Sequence, residues 1–287
     1  MKMAEYNKRY RDTVFRDYFN DEERLLSLCN ALLGTDAAAL KINTLEGIFF
    51  DRQKNDISCV VENTFLVLIE HQSTINENMP FRCLSYVAEL MNNLVEDKDK
   101  LYHKALIRFP APRFYVFYDG DDLQPVERLL RLSEAFTGSN SALELVVTAL
   151  NINHGVPQPL LAKCRYLREY STLVGKVKEG ILAGLTRKDA ISRAVKFCLD
   201  NGLMKGYLEK KSQEVFNMLA LQWEQDKAIR ASYEDGRDDG ISEGIEKIAL
   251  KMIQLGKPLE DIIQITDLPI ERIKKLATKI GVMKYAT

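Results

Sequence analysis

Residues 54–72 read Lys54-Asn55-Asp56-Ile57-Ser58-Cys59-Val60-Val61-Glu62-Asn63-Thr64-Phe65-Leu66-Val67-Leu68-Ile69-Glu70-His71-Gln72. Two apolar runs rich in β-branched residues flank a polar Glu-Asn-Thr, the pattern of a β-hairpin. A turn centred on Asn63 pairs residues whose numbers sum to 126. One face then joins Ile57 to Ile69, Cys59 to Val67 and Val61 to Phe65, all apolar. The other joins Val60 to Leu66, Ser58 to Leu68 and Asp56 to Glu70. Directly opposed residues have Cβ atoms about 4.5–5.5 Å apart, where like charges repel. Two carboxylates at the open end of an apolar hairpin are either solvated strand-end charges or a site asking for a cation. The hard, oxygen-seeking ion suited to the second reading is Mg²⁺.

The surrounding sequence supplies helices and further strands. Val14, Phe15, Tyr18 and Phe19 fall at helical spacing, as do Leu25, Leu28, Cys29, Leu32 and Leu33 before Gly34. Thr44 to Phe50 reads as a strand preceding the hairpin. Asn78 and Pro80 open a helix with the stripe Phe81, Leu84, Ala88, Met91 and Val95. Arg113 to Tyr118 reads as a strand closed by Asp119-Gly120, and Leu143 to Ala149 as another. The order α, β, β, β, α, β, β implies a mixed sheet flanked by helices, and strands apolar on both faces suit a sheet covered on both sides. From Pro157 the pattern is helical: Pro159 to Val174, Arg187 to Asp200, and Lys205 to Tyr233. Gly236, Gly240 and Gly244 read as a flexible connection, because each glycine costs a helix about 1 kcal/mol relative to Ala. Three short helices follow, Ile245 to Leu255, Leu259 to Ile265 and Ile270 to Ile280, resembling a helix-turn-helix. The stripe Ile270, Ile273, Leu276 and Ile280 would equally serve packing or homo-oligomerisation. The expected division is a core over 1–155, a helical extension over 156–233, and a Gly-rich acidic linker with a helical tail over 234–287.

The chain has 287 residues, 40 Lys and Arg against 41 Asp and Glu, and a formal charge of −1. No global basic field therefore announces a nucleic-acid partner. Locally, Leu161 to Val215 holds 12 basic against 6 acidic residues, and Leu219 to Glu246 holds 3 against 8. The first stretch is either a phosphate-facing surface or a solvated helix face. Five cysteines without CxxC spacing are expected to be reduced, and the three histidines make no zinc pattern. Without a signal-like opening or a bilayer-length apolar run, the expectation is a cytoplasmic chain with no membrane segment.

Asn55-Asp56, Leu68-Ile69-Glu70-His71-Gln72-Ser73, Asn78-Met79-Pro80-Phe81-Arg82, the opening Arg11-Asp12-Thr13-Val14-Phe15-Arg16, Phe117-Tyr118-Asp119-Gly120, Asn151-Ile152-Asn153 and the Gly-rich acidic tail occur in order. Together they resemble the Rpn family of recombination-promoting nucleases, also described as PD-(D/E)XK family transposases. The resemblance spans nearly the whole chain. It implies a restriction-endonuclease-like α/β core with a helical C-terminal extension, and a DNA endonuclease dependent on Mg²⁺, with Mn²⁺ as a substitute. Asp56 and Glu70 would be metal ligands, and the backbone carbonyl of His71 a third. Gln72 replaces the superfamily's usual lysine. It shares a face with Glu70 and can orient water, but it carries no charge and no proton to tune. By parity the His71 side chain belongs to the apolar face, as a packed core histidine. Asp12, Asp17 and Glu46 are candidates for an additional carboxylate, and Arg82 either meets phosphate or is a solvated first-turn arginine. The competing expectation is a degenerate nuclease fold acting as a DNA-binding or assembly module.

Overall fold

The hairpin forms in the expected register: Ile57 pairs with Ile69, Cys59 with Val67 and Val61 with Phe65. Glu62 and Asn63 both take positive φ, 45° and 55°, and Thr64 N–H closes the turn on the Val61 carbonyl at 2.9 Å. Asn tolerates this conformation; Glu62 accepts a cost of about 1–2 kcal/mol, offset by the apolar pairs it aligns.

The computed structural model describes residues 14–42, 56–138 and 141–281, with only the backbone for 221–235, 238 and 239. The chain divides into two compact units, Met1–Gln222 and Trp223–Thr287. In the first, helices α1 (Val14–Phe19) and α2 (Glu22–Leu33) precede β1 (Leu40–Ile42), β2 (Ile57–Val61) and β3 (Phe65–Gln72). Next come α3 (Met79–Leu94), β4 (Ala111–Tyr118), β5 (Glu127–Arg131) and β6 (Val146–Asn151), and then α4 (Pro159–Lys163), α5 (Arg165–Leu182) and α6 (Arg187–Asp200). The long α7 (Lys205–Gln254), with a kink at Lys211, leads to α8 (Leu259–Thr266) and α9 (Ile270–Lys279).

The architecture is mixed α/β. Among the described residues, six strands form one sheet in the order β1-β2-β3-β4-β6-β5, with β3, β4 and β6 parallel and the rest antiparallel. One sheet face packs on α3 through Val60, Leu66, Leu68, Val116, Cys83, Tyr86 and Leu90. The opposite face meets the helices before and after the sheet, where Phe15 lies edge-on to Phe117 and Cys29 Sγ approaches Cys59 Sγ at 3.4 Å. All five cysteines are free and buried. No helix among the described residues is long and apolar enough to cross a membrane.

Several elements differ from the sequence reading. The expected strand Thr44 to Phe50 lies outside the described residues. β1 and β5 were not anticipated: β1 is three residues long, and β5 is an edge strand with only Leu130 buried, too polar to declare itself. Pro159 to Val174 is two helices, broken at Cys164. The linker expected at Gly236, Gly240 and Gly244 is corrected: all three lie inside α7. The glycine penalty is small beside the cooperative cost of stopping and renucleating a helix that continues on both sides. The helical extension up to Gln222 belongs to the same unit as the sheet. In the second unit Ala249, Ile253, Ile262, Ile273, Leu276 and Ala277 form a core, with Asp267 in a left-handed turn between α8 and α9. The first of the three short helices expected here is the C-terminal part of the long α7, and the other two are α8 and α9.

Gly120 carries a sharp steric demand. A Cβ there would come within 1.8 Å of the Ser73 carbonyl oxygen, so the end of β4 can lie against the end of β3 only without a side chain. Gly120→Ala is expected to cost about 1–3 kcal/mol, roughly 5–10 °C of melting temperature at this size. Gly138→Ala, with nothing within 4 Å, is the neutral control. Thermal unfolding followed by circular dichroism compares them.

Candidate active site

The C-terminal end of β3 turns the hairpin into a site. Asp56 N–H donates to Glu70 Oε1 at 3.2 Å, and His71 N–H donates to Asp56 Oδ2 at 2.8 Å. The two carboxylates thus lie together at one end of the sheet, beside the last pair of the hairpin, Ile57 with Ile69. Glu70 is 4% exposed. Burial, and then the neighbouring Asp56 carboxylate, push its carboxyl up to about 8, against the opposing pull of Arg82 and the Asp56 amide. A carboxylate so placed favours a proton or a cation.

Arg82, on the first turn of α3, reaches back across the same face. Its Nη2 donates to Glu70 Oε2 at 3.0 Å and to Tyr86 Oη at 3.0 Å. The first-turn arginine is therefore an ion-pair partner of Glu70, a role the sequence reading did not foresee. Gln72 shares this face too. Its Nε2 donates to Met79 Sδ at 2.9 Å, while Oε1 is buried with no hydrogen-bond partner among the described residues. An unsatisfied buried acceptor is costly and marks a place where a water or an ion belongs.

His71 points the other way, as its parity predicted. Its ring stacks on Phe15 with centroids 4.9 Å apart. Nε2 lies 2.9 Å from Asp119 Oδ2 and 3.0 Å from Tyr170 Oη. Burial alone would raise the Asp119 carboxyl. The His71 ring beside it, their hydrogen bond, the Lys178 ammonium and the Tyr170 hydroxyl outweigh that and hold it below the usual carboxylate range. Lys178 Nζ also donates to the Asp119 and Gly120 carbonyls and to Asn153 Oδ1. This cluster clamps the ends of β3 and β4 from the far side of the sheet. Gln72 carbonyl accepts from Asp119 N–H, so Gln72 faces β4 and, by strand alternation, His71 N–H and C=O face the β2 side where Asp56 stands.

Of the other candidates, Asp12 and Glu46 lie outside the described residues. Asp17 is taken up elsewhere: its carboxylate accepts from Tyr207 Oη at 2.6 Å and from Lys211 Nζ at 2.8 Å. Among the described residues no group of three or more His, Cys, Asp or Glu side chains is placed to hold a metal ion. Several cations of the basic stretch are engaged internally: Arg165 pairs with Glu169, Lys176 with Glu179, Lys178 with Asp121 and Lys211 with Asp17. The sequence reading missed Asp119, Tyr170 and Lys178 as members of the site. A buried histidine needs a polar partner, and the parallel register, which pairs His71 with Phe117, puts Asp119 two residues further along the same face. No family model, curated protein or solved structure matches the chain.

Proposed function

We propose that the protein is a divalent-metal-dependent DNA endonuclease whose centre is the Asp56–Glu70 pair. The observation that carries this is the buried Glu70 carboxyl, held next to Asp56 and displaced to about 8, at the sheet end where Gln72 Oε1 has no partner. The donors are all oxygens, which fits Mg²⁺ or Mn²⁺. Asp56 and Glu70 would hold the ion, together with the His71 carbonyl. The bound ion would supply charge neutralisation at the scissile phosphate and a water that loses its proton more readily. Asp56 is fixed in place by the His71 N–H, and that backbone is fixed by the clamp through Asp119 and Tyr170. Gln72 Oε1 accepts a hydrogen bond from water and so orients it, but it takes no proton. Cleavage then depends more on the metal than it would with lysine at this position. The resemblance to recombination-promoting nucleases adds the expectation of a transposase-like role.

A second reading has one observation behind it. Arg82 already occupies Glu70 Oε2 with a hydrogen bond, as it would in a fold that keeps the architecture without the chemistry and serves as a DNA-binding or assembly module. Supercoiled plasmid distinguishes the two. Nicking with Mg²⁺ that stops in EDTA and in Asp56→Ala supports the nuclease. DNA binding without nicking supports the module, and nicking that survives Asp56→Ala defeats the assigned centre.

A further inference from the structure

The first turn of α3 brings a permanent cation to the acidic pair. Arg82 Nη2 lies 3.0 Å from Glu70 Oε2, and Nε and Nη2 both donate to Tyr86 Oη, at 3.3 and 3.0 Å. The Arg82 side chain is 37% exposed against 5% for Glu70, so the guanidinium spans from the buried carboxylate to solvent. A guanidinium stays protonated at any working pH, and its planar fork matches the oxygens of a phosphate. A divalent ion on Glu70 would compete with it for the same carboxylate.

We propose that Arg82 is the resident counter-charge of Glu70, that a divalent cation displaces it, and that the released guanidinium then holds a non-bridging oxygen of the substrate phosphodiester. This rests on the nuclease reading above. Tyr86 makes the exchange local: it accepts from Nε as well as Nη2, so the stem of Arg82 stays anchored while Nη2 leaves Glu70. The pair also offsets part of the repulsion between two adjacent carboxylates. With the ion bound, the freed cation faces developing negative charge on phosphate, the arrangement in which Arg is most effective.

A purely structural Arg82 that merely held Glu70 in position would, when removed, weaken metal binding and cleavage together. The displaced counter-charge predicts opposite signs. Losing a positive charge next to the ion site strengthens ion binding. It also strengthens proton binding by Glu70, but a divalent ion feels twice the repulsion, so the ion gains more.

The test is calorimetric titration of the full chain with Mn²⁺, paired with single-turnover cleavage at saturating Mn²⁺. Arg82→Gln is expected to bind Mn²⁺ about tenfold more tightly and to cleave about 10²-fold more slowly. Arg82→Lys keeps the charge but loses the fork. It is expected to bind Mn²⁺ within about threefold of wild type while still cleaving at least about tenfold more slowly. Unchanged or weaker Mn²⁺ binding by Arg82→Gln overturns the proposal, as does full-rate cleavage by either variant. If Arg82→Gln does not fold, the Lys variant decides by its cleavage rate. Absence of binding heat from both wild type and Arg82→Gln removes the metal centre itself, a different failure from an affinity that moves the wrong way.

Discussion

Glu70→Gln is expected to lose Mg²⁺-dependent nicking by about 10³-fold or more, and yet to be no less stable than the wild type above pH 8 in EDTA. The two effects have one cause. An unfolded glutamate titrates near 4.3, whereas folded Glu70 holds its proton up to about 8 because burial and Asp56 disfavour its charge. Below pH 4 both states carry the proton and the group contributes nothing to the pH dependence. Between those values the folded chain binds a proton that the unfolded chain lacks, so stability falls as pH rises, and the loss is complete above 8. The loss is on the order of a few kcal/mol. Glutamine cannot ionise, so this part of the pH profile disappears. Melting temperatures of both chains at pH 5, 7 and 9 in EDTA provide the check. Parallel profiles would mean that Glu70 ionises in an ordinary environment and that the pair exerts no strain.

Asp119→Ala is expected to destabilise the fold by about 3–5 kcal/mol, a drop in melting temperature of roughly 10 °C or more. The mutation leaves the buried His71 ring and the Tyr170 hydroxyl short of an acceptor both use, and removes a buried negative charge that faces the Lys178 ammonium. Asp119→Asn retains one oxygen and should lose about half as much. Because the clamp fixes the strand whose His71 amide holds Asp56, cleavage by either variant should fall further than the folded fraction does. Comparing activity per folded molecule, from melts and initial rates on the same preparation, separates the two contributions. A loss under 1 kcal/mol in Asp119→Ala would show that water replaces the carboxylate at no cost and that the clamp is incidental.

How much of this was legible in the sequence depends on how local each feature is. The hairpin register, the shared face of Asp56, Glu70 and Gln72, and the inward turn of His71 all follow from period-two alternation about one turn. They could be read from residues 54–72 alone. The role of Arg82 required knowing that the helix after β3 folds back over the same face, so that a first-turn side chain meets Glu70. Asp119 and Tyr170 needed a parallel register and a helix more than ninety residues away, which no local periodicity specifies. β5 went unread because an exposed edge strand has no apolar alternation to display. The glycines at 236, 240 and 244 misled because propensity acts residue by residue, whereas a long helix is cooperative.

Sequence separation also bears on the order in which these contacts form. The amide of Asp56 meets Glu70 across 14 residues, and Arg82 meets Glu70 across 12. His71 waits for Asp119 across 48 residues and for Tyr170 across 99. Loop-closure entropy grows with chain length, and short hairpins close in microseconds while non-local pairings come later. The carboxylates and their neutralising guanidinium therefore lie within one continuous segment, Asp56 to Arg82, able to assemble early. The His71 clamp then acts as a late latch, closing only after the chain has crossed over through α3 and the helices beyond the sheet have docked.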